Sequence, residues 1–431
     1  MKLGSLFDGS GGFPLAGSLC GIEPVWASEV EPYPIAVTRS RFPQMKHLGD
    51  ISKVNGGEIE PVDVITFGSP CQDLSVAGKR AGLKHEANGD DETTRSGLFM
   101  EAVRIIKEMR EKTNGRYPAF ALWENVPGAF SSNGGEDFRI VCEELIKIVE
   151  PTAAMPPVPK NGWASADVYM GDGWSLAYRV FDAQYWGVPQ RRRRIHLVLD
   201  LRGERAGEIL FEREGVRGYF ETGRTPWQGL AGAAQDCAGA PMNTLTSADR
   251  HAVCCVGTFQ NTGIGWWNES PVATTVRTPC GGDATFANVA VEGMDCRNGR
   301  LNGDLCGTLQ AKPNGGFSYN CIHPVLLQNA ARYIVRRLTP AECARLQGFP
   351  DNWGHLDRKD DMTDEEWTFW AGVRNTHAKM NGKEEKSYTK EQIISWYNKL
   401  HTDSAEYKMW GNGIALPPAL YVMQGIKEAE G

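Results

Sequence analysis

Over its first 200 residues the chain alternates two apolar periods, and this limits the available folds more than any other feature. The runs KLGSLF (2–7), PVWASE (24–29), PVDVITFG (61–68), AFALW (119–123) and RIHLVLD (194–200) are short, and each closes at or just before Gly, Asp, Glu or Asn. Between them, GLFMEAVRIIKEMREK (97–112) places Leu98, Ala102, Ile105 and Met109 on one helical face. EDFRIVCEELIKIVE (136–150) does the same with Phe138, Val141, Cys142, Leu145, Ile148 and Val149. Continuous apolar runs of this length read as strands buried on both faces, and parallel strands need helical crossovers between them. The expected class is therefore α/β, a doubly wound Rossmann-like sheet that binds ligands at the carboxyl ends of its strands.

The texture changes near residue 201, where Gly, Thr, Asn and Pro become frequent and helical periodicity stops until about 337. Three segments there, 242–253, 272–291 and 306–326, share a Thr-aliphatic start, a Gly-rich or polar turn and a close on valine, as repeated hairpins would. Residues 354–406 are charged, Trp-bearing and helix-prone. Pro417 and Pro418 then suit the first turn of a terminal apolar helix near 414–428.

The 431 residues carry a net charge of −7, which by itself argues against a polyanionic partner. The charge is uneven, however: GKRAGLKH (78–85), QRRRRIH (190–196) and ARYIVRRL (331–338) are locally basic. Eleven cysteines, with no C-x-x-C pair, make neither a disulfide framework nor a zinc site, so no metal is expected. No apolar run approaches the ~18 residues of a membrane span, and MKLGSLFDGSGGF turns glycine-rich too early for a signal peptide. A reducing, cytoplasmic compartment and no membrane association are expected.

Chemistry gathers at the strand ends. SLFDGSGGF (5–13) follows the first strand as a small-residue turn whose backbone N–H groups can approach a ligand. Glu29 closes the second strand, where a carboxylate can take both ribose hydroxyls, and Asp50 in GDI (49–51) is placed for an adenine amino group. Together they indicate an adenosine-containing cofactor. Without a Walker lysine or a second pyrophosphate turn, S-adenosylmethionine fits better than ATP or NAD. Cys71 lies behind Ser69-Pro70 at a strand terminus, in a loop carrying Lys79 and Arg80. Cationic surroundings lower a thiol's pKa, so Cys71 reads as a nucleophile. Glu124 and Asn125 end another strand beside the same cleft. In QRRRR, Gln190, Arg192 and Arg194 share one face, with Arg191 and Arg193 on the other.

In order, FDGSGGF, SEVE, GDI, GSPCQ, RSGLF, ENV, QRRRR, RRLTPAECARLQGFP and GNGIALPPA resemble the motifs of the DNA (cytosine-5-)-methyltransferase family, of prokaryotic or phage type, over residues 5–419. The resemblance implies that Cys71 attacks carbon 6 of a flipped-out cytosine and that Glu124 holds ring N3. It places Arg194 at the cytosine O2, has Arg192 brace the catalytic loop and has Gln190 orient the strand. Phe7, Asp8, Gly9, Gly11, Glu29, Asp50, Ile51, Pro70, Leu98 and Asn412 would line the S-adenosylmethionine site. Gln72, Ser75, Lys79, Arg80, Asn125, Arg250 and Arg277 would contact double-stranded DNA.

The implied domains are a catalytic unit of residues 1–200 plus 407–431, with the C-terminal helix packing back on it, a smaller, mostly β or irregular target-recognition domain at 201–350, and a charged helical insertion at 351–406. Residues 72–95 would form the mobile loop over the base. A monomer is expected, with a cognate restriction endonuclease as a possible companion. Two other readings stay open: a catalytically inactive DNA-binding protein on the same fold, and an RNA-directed cytosine-5 methyltransferase. One departure is plain, since GNGIALP has Gly413 where the family carries serine.

Overall fold

The computed structural model describes residues 1–69, 97–211, 259–261, 267–269, 294–295, 300–301, 325–329, 332–336 and 338–430. In chain order the first part runs β1 (Lys2–Leu6), α1 (Gly12–Leu19), β2 (Glu23–Ser28), α2 (Pro32–Arg41), β3 (Lys46–His47), β4 (Val64–Phe67), α3 (Gly97–Lys112), β5 (Phe120–Asn125), α4 (Glu136–Ile146), β6 (Ala166–Gly171), β7 (Trp174–Asp182), β8 (Arg193–Asp200) and α5 (Ala206–Leu210). These strands form one eight-stranded sheet in the order β3-β2-β1-β4-β5-β8-β7-β6.

The first five strands pair in parallel, as their apolar runs and intervening helices imply. RIHLVLD, expected as one more parallel strand, instead runs antiparallel to β5, with Phe120 opposite Asp200 and Asn125 opposite Ile195. An unbroken apolar run reports burial on both faces, not direction. Direction here follows the local connection. β7 is antiparallel to β8 and β6 to β7, so the last three strands form a meander on the β5 edge. The reversal has a functional consequence, because it brings the amino end of β8 beside the carboxyl end of β5.

Alternate side chains of the strands enter two cores, one on each face. Leu3, Val64, Leu122 and Val198 pack with residues of α1, α2, α5 and α10 (Leu416–Glu430). Leu6, Phe67, Trp123 and Leu197 pack under α3 and α4. Within α3 the fully buried stripe is Phe99, Ala102, Val103, Ile105, Ile106 and Met109, while Leu98 is only half-buried.

Beyond the sheet, β9 (Phe259–Asn261) pairs with β10 (Trp267–Glu269), β11 (Met294–Asp295) with β12 (Arg300–Leu301), and β13 (Val325–Asn329) with β14 (Arg332–Arg336), all antiparallel. The three repeated segments lie almost wholly outside the described residues. Next come α6 (Pro340–Leu346), α7 (Asp364–Met380), α8 (Lys390–Tyr397), α9 (Asp403–Asn412) and α10. Threonine capping boxes start α6, α7 and α8, satisfying two orphan backbone N–H groups each. Phe369 of α7 lies under the Arg39 guanidinium, 4.1 Å from ring centroid to Cζ. The apolar stripe of α10 covers α1, and Tyr421 Oη donates to Phe211 O at 2.5 Å. No described helix is long and apolar enough to cross a membrane.

Candidate active site

The β1–α1 turn is built from left-handed backbone. Phe7, Gly9 and Gly11 have φ of 56°, 55° and 76°. The two glycines tolerate this freely, whereas Phe7 holds a conformation uncommon for a bulky side chain, which marks the turn as constrained. Asp8 N donates to Ser28 O and Gly11 N to Asp8 O, fixing the turn over the end of β2. Glu29, next in sequence, receives Gly9 N on Oε2 at 2.8 Å, and Val30 N and Glu31 N on Oε1 at 2.7 and 2.9 Å. Burial nevertheless pushes its pKa up against those three donors.

The third strand end joins the same place. Ser28 Oγ donates to Gly49 O at 2.7 Å, and Asp50 Oδ1 caps a short 3₁₀ turn (Ile51–Lys53) by accepting Ser52 N and Oγ. Phe7, Asp8, Gly9, Gly11, Glu29, Asp50 and Ile51 therefore converge at one edge of the sheet. Asp8 is the most perturbed of them. Burial raises its carboxyl to about 8, Ser5 Oγ opposes this through a 2.7 Å bond to Oδ1, and Glu29 adds repulsion. Its Oδ2 is buried without a hydrogen-bond partner among the described residues.

A second cluster forms where β5 and β8 meet. Glu124 is 8% exposed and Arg194 7%. Arg194 Nε lies 3.2 Å from Glu124 Oε1, an ion-pair contact, and Arg194 Nη1 donates to Arg193 O at 2.8 Å. Burial raises the Glu124 pKa, with Arg194 and then Arg192 pulling it back. The carboxylate hangs over Gly68, where an added Cβ would lie 3.5 Å from Glu124 Oε2. The alternation anticipated in QRRRR is present: Gln190, Arg192 and Arg194 are buried, Arg191 and Arg193 exposed. Gln190 is fully enclosed, and among the described residues both its amide atoms and the Nε and Nη1 of Arg192 have no hydrogen-bond partner. Burial and the nearby Arg194 lower the Arg192 pKa well below its ordinary value.

Arg192 joins the two clusters. Its Nη2 donates to Gly413 O and, at 3.5 Å, to Gly411 O. Gln347 Nε2 donates to Trp410 O at 3.0 Å, and Leu416 N to Gln347 O at 2.8 Å. Trp353 Nε1 donates to Ser10 O at 2.7 Å. Ser10, Gln347 and Trp353 were not anticipated as site residues. Gln347 had a signal, since it lies in RRLTPAECARLQGFP, while Trp353 falls just past that motif. Asn412 is exposed at the last position of α9, and Leu98 lies in the first turn of α3.

Asn125, expected among the DNA contacts, is buried. Its Nδ2 donates to Ser69 O at 3.1 Å and its Oδ1 accepts Val126 N at 2.8 Å. With Trp123 Nε1 donating to Ser69 Oγ at 3.3 Å, the end of β5 grips the chain one residue before Pro70. Pro70, Cys71, Gln72, Ser75, Lys79, Arg80, Arg250 and Arg277 lie outside the described residues.

A doubly wound sheet with a glycine turn after β1, acidic residues after the next two strands and a buried carboxyl–guanidinium pair defines an α/β protein of the nucleotide-cofactor type with a second, charged cluster where β5 meets β8. A family model described as "C-5 cytosine-specific DNA methylase" matches residues 1–148 and 307–365. Over those residues the chain is similar to that family. It is 29% identical, over 99% of its own length and 61% of the relative's, to a DNA N-6-adenine-methyltransferase of Escherichia phage P1. It is 31% identical to the Type II methyltransferase M.BsuFI of Bacillus subtilis, over 45% of this chain and 37% of that one. The chain thus spans less than two thirds of either relative. The crystal structure of S. pombe Dnmt2 methyltransferase shares the fold, with a TM-score of 0.54 at 13% identity over 100% of this chain and 99% of that one.

Proposed function

We propose that the chain transfers a methyl group from S-adenosylmethionine to carbon 5 of a cytosine flipped out of duplex DNA. The observation that carries this reading is the buried Glu124–Arg194 pair beside the gripped Ser69, directly ahead of Pro70-Cys71. A stacked base is out of reach of such a pocket, so the nucleotide must leave the helix at a cost of a few kcal/mol. The glycine turn, Glu29 and Asp50 fit an adenosine cofactor: the turn offers closely approachable backbone, and Asp8 Oδ2 is buried with no hydrogen-bond partner among the described residues.

In this account Glu124, whose carboxyl is held toward its neutral form by burial, protonates cytosine N3, and Arg194 takes O2. Both withdraw electrons from the ring, so the Cys71 thiolate adds to carbon 6. Carbon 5 becomes nucleophilic and would take the methyl group that S-adenosylmethionine supplies, the methyl–sulfur bond breaking to leave S-adenosylhomocysteine. Loss of the carbon 5 proton to a base then expels the thiolate, and return of the N3 proton to Glu124 restores the neutral aromatic ring. Arg192 orients this pocket against the 411–413 turn, and Asn125 positions the segment carrying Cys71.

The name of the phage P1 relative raises a second reading, methylation of adenine N6. That reaction uses the lone pair of an exocyclic nitrogen and needs no protein thiol at a ring carbon, so a Pro70-Cys71 pair following directly on Ser69 in the sequence favours cytosine. Duplex DNA containing 5-fluorocytosine separates the readings, because fluorine at carbon 5 cannot depart as a proton. A covalent adduct dependent on S-adenosylmethionine and lost in Cys71→Ser is expected. Absence of any adduct with a duplex that binds tightly would overturn the reading in favour of an inactive binder or an adenine enzyme. An adduct only with fluorinated tRNA would make the substrate RNA.

A further inference from the structure

The closing motif has glycine where the family carries serine, and the structure identifies what fills the space. A Cβ built on Gly413 would lie 2.7 Å from Ser10 Oγ, 3.1 Å from Met409 O and 3.3 Å from Ser10 Cβ. The adjacent pair interlocks in the opposite sense, since a Cβ on Gly12 would meet Ile414 Cγ1 at 2.5 Å. So the first loop places a side chain over Gly413, and the closing turn places one over Gly12. Hydrogen bonds from Trp353 Nε1 to Ser10 O and from Arg192 Nη2 to Gly413 O fix both backbones. Ser10 is 1% exposed, and its Oγ is buried with no hydrogen-bond partner among the described residues. Enclosing a hydroxyl without a partner is unfavourable, so a ligand atom is the natural acceptor or donor for it.

We propose that Ser10 supplies, from the first loop, the hydroxyl that Gly413 removes from the closing motif. The two positions have exchanged one side chain, and Ser10 is a cofactor-binding residue of this chain. The inference rests on the S-adenosylmethionine reading above. It carries a counterintuitive consequence: restoring the family's serine by Gly413→Ser harms the site unless Ser10 is trimmed at the same time.

The test is calorimetric binding of S-adenosylhomocysteine, with thermal melting of the unliganded protein, for wild type, Ser10→Ala, Gly413→Ser and the double variant Ser10→Gly/Gly413→Ser. Ser10→Ala is expected to weaken binding about tenfold, the worth of one ligand hydrogen bond, with an unliganded Tm within about 2 °C of wild type. Gly413→Ser is expected to lower both affinity and unliganded Tm through overpacking. The double variant should recover both, with affinity within about threefold of wild type. Wild-type affinity in Ser10→Ala, or a double variant no better than Gly413→Ser, would overturn the exchange. A wild-type chain that binds neither S-adenosylhomocysteine nor S-adenosylmethionine would overturn the cofactor reading instead, and the unliganded melting cycle would still decide whether the two positions share one side chain's space.

Discussion

Asp8 and Glu29 are two carboxyls flanking a single backbone amide, Gly9 N, which donates to Glu29 alone. The backbone bonds go to Glu29, and among the described residues the Asp8 carboxyl receives only the Ser5 hydroxyl. Its carboxyl therefore stays protonated up to about pH 8 in the folded chain and ionises near 3.8 once unfolded. Between those values the native state binds one proton more than the unfolded state. This contribution to stability is present at acid pH and is lost as pH rises through the window, at up to about 1.4 kcal/mol per unit. Asp8→Asn removes the slope, so urea denaturation at pH 5, 6.5 and 8 should show the variant gaining on wild type as pH rises. Parallel stabilities across that range would show that Asp8 is ionised in the native protein. At this scale the sequence was legible wherever period 2 governed: QRRRR sorted its arginines onto two faces, and the structure buries the face of Arg192 and Arg194. It was silent on Asn125, because a buried amide that grips Ser69 and one that touches DNA look alike until the neighbouring strand is in place.

At the scale of elements, the reversal of β8 creates the site. Running antiparallel, it sets Arg194 beside Glu124, whereas a parallel β8 would send its first residues to the opposite edge of the sheet. The sequence disclosed the parallel strands because helices of readable period separate them. It hid β6, since ADVYMG lies at the sheet edge with none of its six residues buried and carries no unbroken apolar run. The β4–β5 pair has its own device, the Asn125 amide that ties the end of β5 to Ser69 O beyond β4. Asn125→Ala leaves a buried carbonyl unpaired, worth about 1–3 kcal/mol in stability. It should also lower kcat for methyl transfer at least tenfold, while the dissociation constant for S-adenosylhomocysteine, whose proposed site lies at the β1–β3 ends, changes by less than about twofold. A parallel loss of cofactor affinity would contradict this division of labour.

At the scale of the whole molecule, the two ends of the chain share one core. Leu416, Leu420, Val422, Met423 and Ile426 of α10 are buried against Leu3, Phe13 and Ala16. At about 1.5–3 kcal/mol for each large aliphatic, that stripe rivals the 5–15 kcal/mol of a typical domain's net stability. A chain ending at Ala415 is expected to lose its cooperative melting transition and to bind a hydrophobic dye. A cooperative melt close to that of the full chain would contradict that account of the core. The central claim is chemical, and nucleoside analysis of an unmethylated plasmid library treated with S-adenosylmethionine tests it most directly, with wild type run beside Cys71→Ser and Glu124→Gln. The account predicts 5-methyl-2′-deoxycytidine from wild type, none from Cys71→Ser and at least a hundredfold less from Glu124→Gln. N6-methyl-2′-deoxyadenosine, or 5-methylcytosine undiminished in Cys71→Ser, would contradict it.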